Sequence, residues 1–314
     1  MLDVALMIEG QNGLDWPRWK KIVQAAEDLG FAGLFRSDHY TNAEPPDLDS
    51  LELWISLTWL ASNTRRIEFG PLVTPVSFRH PTLTARMAAA VDDLSAGRLV
   101  LGVGAGWQER EHSNYGWELL DPPSRFQRFE EGLEIIHHLL KSDQPLDYTG
   151  QFFHLRDAVL LPRPQRPNGP PLLVGGNGIQ RTLALAARYA DEWNAVIVTA
   201  ERFAALNSRL DELLQAQYRP AASIRRSLMT GCIFGREEGE VRRKIQTRTA
   251  GKSDMDGLRQ RGIIVGTSSE IVDQLGILQE SGVERVMLQW LDLDDFEGLE
   301  GLAAGVLPHF RASG

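Results

Sequence analysis

One cysteine, Cys232, stands in the 314 residues of the chain. No internal disulfide can form, and the apolar setting LMTGCIFG reads as a buried strand rather than a metal or nucleophile site. Long apolar runs are also missing: none approaches the ~20 residues of a membrane span, and the opening MLDVALMIEG lacks the basic segment of a secretion signal. The expectation is a cytoplasmic protein without membrane contact. Positive charge is in deficit, with a formal net charge of -9. The pairs Arg65-Arg66, Arg225-Arg226 and Arg242-Arg243 are scattered, so no basic face exists to neutralise phosphates and no nucleic-acid partner is expected. No two histidines sit at metal-ligand spacing after a strand, and no Ser-His-Asp arrangement emerges, so no metal is assigned.

What the chain does contain is a rhythm of short apolar strands and amphipathic helices. Strand one is DVALMIE, and a helix from Asp15 to Gly30 carries Trp19, Ile22, Val23, Ala26 and Leu29 on one face. Asp15 with Pro17 marks its start and Gly30 its end. Strands GLFRS, IEFGPLV and RLVLGVG follow, separated by helices near 52–64 and 80–95, the latter with Leu83, Met87, Ala90 or Val91, and Leu94 in register. A further helix spans about 125–141, burying Phe126, Phe129, Leu133, Ile136 and Leu140.

The Pro- and Gly-rich segment from Ser142 to Pro171 interrupts the rhythm and reads as an insertion, either a lid or part of a dimer face. Alternation resumes with PLLVGG and a helix from Arg181 to Trp193, NAVIV and a helix over 201–217, then SLMTGCIFG and a helix from Glu237. An irregular stretch over 247–269 precedes a helix ending at Gly282, the strand RVMLQW, and a last helix from Asp294 to Arg311. Eight strands, each followed by a helix, predict an α/β protein, a (β/α)8 TIM barrel with insertions at its C-terminal face, built as one domain over 1–314.

In such a barrel the chemistry lies at the C-terminal strand ends. Strand one ends in Glu9, strand two in Ser37-Asp38-His39-Tyr40, strand three in Val73-Thr74-Pro75, strand four in Gly104-Ala105-Gly106-Trp107, strand five in Gly175-Gly176-Asn177-Gly178 and strand eight in Gln289-Trp290. Asp38-His39 is the acid/base candidate, since an imidazole there can exchange a proton near neutral pH. Neighbours on a strand point to opposite sides, so the two are not expected to pair directly. His80 reads as a helix-start residue, and His137, His138 and His309 as helix surface or packing.

Two glycine-rich strand ends raise the question of a nucleotide. Gly102, Gly104 and Gly106 lack the G-x-G-x-x-G spacing and come a third of the way along the chain, which weakens a dinucleotide reading. LLVGGNGIQRT sets two glycines before a helix whose first turn has free amides; it suits either a phosphate or a plain tight turn. Pro71 inside strand three removes a donor and marks a bulge at Leu72, either a harmless irregularity or a wall for a ligand ring.

Taken together, DHY after strand two, GPLVTP, RLVLGVGAGW with E-H-x-x-Y-G, LLVGGNG and RYADEWN resemble the bacterial luciferase-like superfamily of flavin and deazaflavin oxidoreductases, over nearly the whole chain. The resemblance implies a TIM barrel with a non-prolyl cis peptide and bulge in strand three, a homodimer, and a flat FMN or coenzyme F420 ring over the barrel mouth. It places His39 beside the reactive ring, Asp38 in contact with a deazaflavin, Leu72 behind the ring and Thr74 donating to it. Ala105, Gly106 and Arg110 would contact ring and chain, and Gly175, Gly176 and Asn177 the phosphate. Trp107 stands where the sugar-phosphate dehydrogenase branch has a proton-transferring glutamate, which argues against that activity. The pattern is most similar to the F420-dependent members, implying hydride transfer to or from a small organic substrate. An FMN-dependent monooxygenase using O2 is the alternative, and a non-catalytic flavin-binding or partner subunit the second, against which the retained Asp38-His39 speaks.

Overall fold

The computed structural model describes residues 1–310, so the expected helix end at Arg311 lies outside the described residues. Strand β1 (Asp3–Ile8) leads to helix α1 (Trp16–Leu29), β2 (Gly33–Arg36) and α2 (Leu53–Asn63). Strand three is divided into β3 (Glu68–Pro71) and β4 (Thr74–Pro75), with a cis peptide between Leu72 and Val73. Next come α3 (Pro81–Leu94), β5 (Leu101–Gly104), a short α4 (Glu109–Tyr115) and α5 (Pro122–Lys141). The antiparallel hairpin β6 (Leu146–Thr149) and β7 (His154–Ala158) occupies the insertion. The second half runs β8 (Leu172–Gly175), α6 (Thr182–Tyr189), β9 (Glu192–Val196), α7 (Ala200–Ala216), β10 (Arg225–Phe234) and α8 (Glu238–Thr249). It closes with α9 (Met255–Gln260), β11 (Ile264–Gly266), α10 (Ser268–Glu280), β12 (Arg285–Gln289) and α11 (Phe296–Val306).

The pairing order β3-β2-β1-β12-β10-β9-β8-β5-β4 is parallel throughout. Because β3 and β4 are halves of one strand, the order returns to its start: the chain is a (β/α)8 barrel. The bridge between Phe69 and Leu99 tightens this seam.

Local chemistry explains the elements. In α1 the Asp15 side chain accepts the Arg18 N–H, a proline sits in the first turn, and Gly30 closes the helix in the left-handed region at φ 87°. Along β5, Leu101 and Val103 face the outer core while Val100 faces the barrel interior, so Gly102 and Gly104 face inward too. A Cβ on Gly102 would lie 2.2 Å from the Pro71 carbonyl oxygen, and one on Gly104 2.5 Å from Val73 Cγ2. The alternating glycines therefore let β5 close against the divided strand.

Two expectations change, and the insertion gains an anchor. The stretch 247–269 is not irregular: it holds α9 and β11, the latter pairing with the far end of β10 from Cys232↔Ile264 to Phe234↔Gly266. Helix α3 buries Ala85, Ala88, Ala89 and Val91, while Leu83 and Leu94 stay about half exposed at 49% and 51%; the small residues permit closer packing than the leucine stripe would. The insertion is anchored to α5, where the Glu131 carboxylate accepts the N–H groups of Gln151, Phe152 and Phe153 at 2.8, 2.9 and 3.3 Å.

The N-terminal end of the barrel is closed by charge. Arg285, fully buried, pairs with Glu192 at 3.0 Å and with Glu68, while Arg225 pairs with Asp3 and lies 3.5 Å from Glu68. Cys232 is buried as expected, its thiol pushed up to about 12 by burial. Among the described residues no helix is long and apolar enough to cross a membrane, and no cluster of metal-ligating side chains occurs.

Candidate active site at the barrel mouth

At the opposite, C-terminal end of the strands lies a cavity of ≈ 630 Å³, lined by residues from the ends of β1, β2, β5, β8 and β9 and from the Leu72–Val73 break. None of its lining comes from the insertion at 142–171, which leaves a lid role without support.

His39 lines this cavity, and its Nδ1 lies 2.9 Å from Glu111 Oε2. A carboxylate only accepts, so Nδ1 carries the proton, and Nε2 is left as acceptor in the neutral ring or donor in the imidazolium. The other oxygen of Glu111 accepts the backbone N–H groups of Tyr40 and, at 3.3 Å, Thr41, and the carboxylate is wholly buried. Burial pushes the His39 pKa down, but the hydrogen bond and charge of Glu111, with the charges of Glu9 and Asp38, outweigh it, so the pKa ends above the ordinary value. The indole of Trp107 meets the imidazole edge-on at 5.6 Å.

A second histidine in the wall, His112, behaves differently. Its Nδ1 donates to the Gln108 carbonyl at 2.7 Å, which makes Nε2 the acceptor for Ser77 Oγ at 2.8 Å, and burial lowers its pKa. The ring is thus neutral and fully engaged.

The remaining sequence-assigned residues divide. Leu72, Ala105, Gly106, Gly175 and Gly176 line the cavity with His39. Asp38 does not: it faces the other way, held by Arg79, and accepts the Thr74 hydroxyl at 2.7 Å. Thr74, 1% exposed, therefore donates to Asp38. Arg79 also bridges to Glu52 at 2.7 Å and the Tyr40 hydroxyl at 3.0 Å. Arg110 turns outward on α4, paired with Asp47 at 2.6 Å. Asn177 binds both the N–H and C=O of Val196, at 2.9 and 2.7 Å, so its amide pins the end of β9.

Sequence reasoning assigned no role to Glu111, although the E-H-x-x-Y-G motif contains it, nor to Arg79 or Arg125. Arg125 lines the cavity beside the loop after β5, donating to the Gly106 carbonyl at 3.1 Å, while its buried Nε has no partner among the described residues. Gly176, at φ 129°, has a conformation L side chains rarely adopt. The Gly176 N–H donates to the Asn194 carbonyl at 2.9 Å and its C=O accepts the Trp193 indole N–H at 3.0 Å, so what this turn offers is room beside a backbone without side chains. With one incompletely satisfied guanidinium it suits the anionic tail of a ring cofactor, while Leu72 and Val73 offer an apolar wall for the ring itself.

The sequence profile of the luciferase-like monooxygenase family matches residues 4–285. The chain belongs to this family. Over 96% of its length it is 28% identical to the 4-hydroxyprotoasukamycin monooxygenase of Streptomyces nodosus subsp. asukaensis, covering 88% of that protein. It is 33% identical to the F420-dependent glucose-6-phosphate dehydrogenase of Microbacterium testaceum over 53% of this chain, a match spanning 48% of that enzyme. Among solved structures, an F420-dependent secondary alcohol dehydrogenase in complex with an F420-acetone adduct superposes with a TM-score of 0.84 at 18% identity, covering 98% of this chain and 99% of that one. A monooxygenase from Streptomyces bottropensis gives 0.79 at 18% identity, over 98% and 100% of the two chains. The luciferase-like relatives thus include both F420-dependent oxidoreductases and monooxygenases, on one barrel.

Proposed function

We propose that the chain is an F420-dependent oxidoreductase that transfers hydride to or from a small organic substrate, His39 handling the accompanying proton. The carrying observation is the His39–Glu111 pair, with the free Nε2 of the imidazole at the cavity. When bound, the deazaflavin supplies a ring carbon that gives or takes the hydride. Leu72 and Val73 back the ring, and Gly175, Gly176 and Arg125 hold the phosphate-bearing tail. In the reducing direction, imidazolium Nε2–H protonates the substrate oxygen; in the oxidising direction, neutral Nε2 takes the hydroxyl proton. Glu111 orients the ring and favours its charged form, acting through His39 as a positioning residue.

The full-length match to a monooxygenase supports a second reading, in which the same cavity holds reduced FMN and O2 is a co-substrate. Anaerobic titration with F420 and FMN, each oxidised and reduced, separates the two. Micromolar F420 binding with FMN at least about 30-fold weaker is expected, a difference of ~2 kcal/mol. Tight binding of reduced FMN followed by O2 consumption overturns the F420 reading.

A further inference from the structure

We infer that the substrate is an uncharged molecule with an extended apolar body and one oxygen function, and that Trp107 is the residue selecting it. The inference rests on the proposed oxidoreductase reading for the location of the reacting oxygen, at His39 Nε2, and on the cavity wall for everything else.

Apart from His39, which the reacting oxygen occupies, the wall offers no free counter-ion among the described residues. Its carboxylates are Glu9 and Glu111. Glu9 accepts the amides of Gln289 at 2.7 Å and Gln11 at 2.9 Å. Glu111 is saturated by His39 and two backbone N–H groups. His112 is engaged at both nitrogens. The single arginine, Arg125, is tied to the Gly106 carbonyl and lies on the side assigned to the cofactor's tail. With the His39 imidazolium committed to Glu111 and to the reacting oxygen, and Arg125 to the cofactor's tail, a second, anionic group on the substrate would lose its hydration beside two carboxylates with no further cation to replace the water.

The wall offers apolar surface instead. Phe78, Phe126, Ile197 and Trp107 border the cavity. Phe78 is buttressed from behind by Trp117 at 4.5 Å. Trp107 is 61% exposed and, among the described residues, meets no aromatic ring but that of His39, so a large apolar face stands open beside the proton-handling group. An indole in that position gains by covering its face with hydrocarbon while the substrate oxygen reaches the imidazole.

The test uses cofactor-loaded enzyme and straight-chain methyl ketones of increasing length, each compared with the keto acid of equal length, with Kd read by calorimetry. Ketone affinity is expected to rise about fourfold per added methylene until the cavity is filled, with a negative heat-capacity change. The keto acids are expected to bind at least about 30-fold more weakly. Trp107→Ala should weaken the longest ketones about tenfold and Trp107→Phe much less, with unchanged circular dichroism because the side chain is exposed. A keto acid binding within a few fold of its ketone, an affinity flat with length, or no ketone binding at all overturns the inference. A length dependence without F420-linked turnover sinks only the hydride-transfer reading; F420-linked turnover of a sugar phosphate sinks only the substrate class.

Discussion

The His39 imidazole is balanced between burial, which disfavours its charge, and the carboxylates of Glu111, Glu9 and Asp38, which together favour it more strongly, Glu111 foremost. A raised pKa keeps the imidazolium present above the ordinary value of ~6.5. Ketone reduction should therefore stay fast above pH ~6.5 and fall as pH rises through the raised value, while alcohol oxidation rises over the same range. The protonated pair also stabilises the fold: the contribution is fully present below the unfolded pKa of ~6.5 and is lost as pH climbs through the folded value. In Glu111→Gln burial is opposed only by the smaller effects of Glu9 and Asp38, so the limb in the rate profile should move to lower pH; an unmoved limb would assign it to another group. His39→Ala should reduce turnover about 100-fold and leave cofactor Kd within a few fold, since the cofactor's hold is assigned to the glycine turn and Arg125. Stopped-flow rates and a fluorescence titration check the two halves separately.

At the scale of elements, the turn after β8 and the hairpin on α5 make separate demands. A methyl at Gly176 would sit 3.2 Å from Thr182 Cγ2 on a backbone at φ 129°, costing roughly 1–2 kcal/mol. Gly176→Ala should bind cofactor about tenfold more weakly while its thermal transition falls by only a few degrees. Glu131→Ala would leave three N–H groups of the hairpin turn without their acceptor, a loss of about 2 kcal/mol, visible as faster amide exchange at Gln151–Phe153. Elements of this size were largely legible in the sequence where an apolar period or a cap announced them, as with Asp15 and Gly30 around α1. The strand β11 was not, because three residues between two turns carry no period. The His39 strand end was legible as a polar residue closing an apolar run. Its partner was not, because Glu111 meets it across 72 positions through the closure of the barrel. The same holds for Arg125, whose place depends on where α5 crosses the mouth. Arg110, Thr74 and Asn177 were assigned by resemblance alone, and local partners, Asp47, Asp38 and Val196, engage them.

The molecule as a whole has two unlike ends: a charged plug at the strand N-termini and an apolar, glycine-rich mouth at the C-termini. The plug carries stability without chemistry. Arg285→Met would leave the buried Glu192 without its ion-pair partner, while Glu68 keeps Arg225 at 3.5 Å, and should lower stability by about 3–5 kcal/mol, a drop in Tm of roughly 5–10 °C, with Kd for the cofactor unchanged. Adding Glu192→Leu and Glu68→Leu should restore most of the loss, because an apolar plug of similar volume no longer holds an unpaired charge.

The lone thiol has a practical consequence. Cys232 lies on β10, 1% exposed and with a pKa far above neutrality, so in the closed barrel it should ignore a disulfide reagent. Modification then requires an opening at the far end of β10, where β11 pairs with it and Arg248 of α8 binds the Cys232 carbonyl, and each chain can report that event only once. Pulse labelling of the unaltered protein would count opened molecules directly, giving the lifetime of that closed edge without any engineered probe.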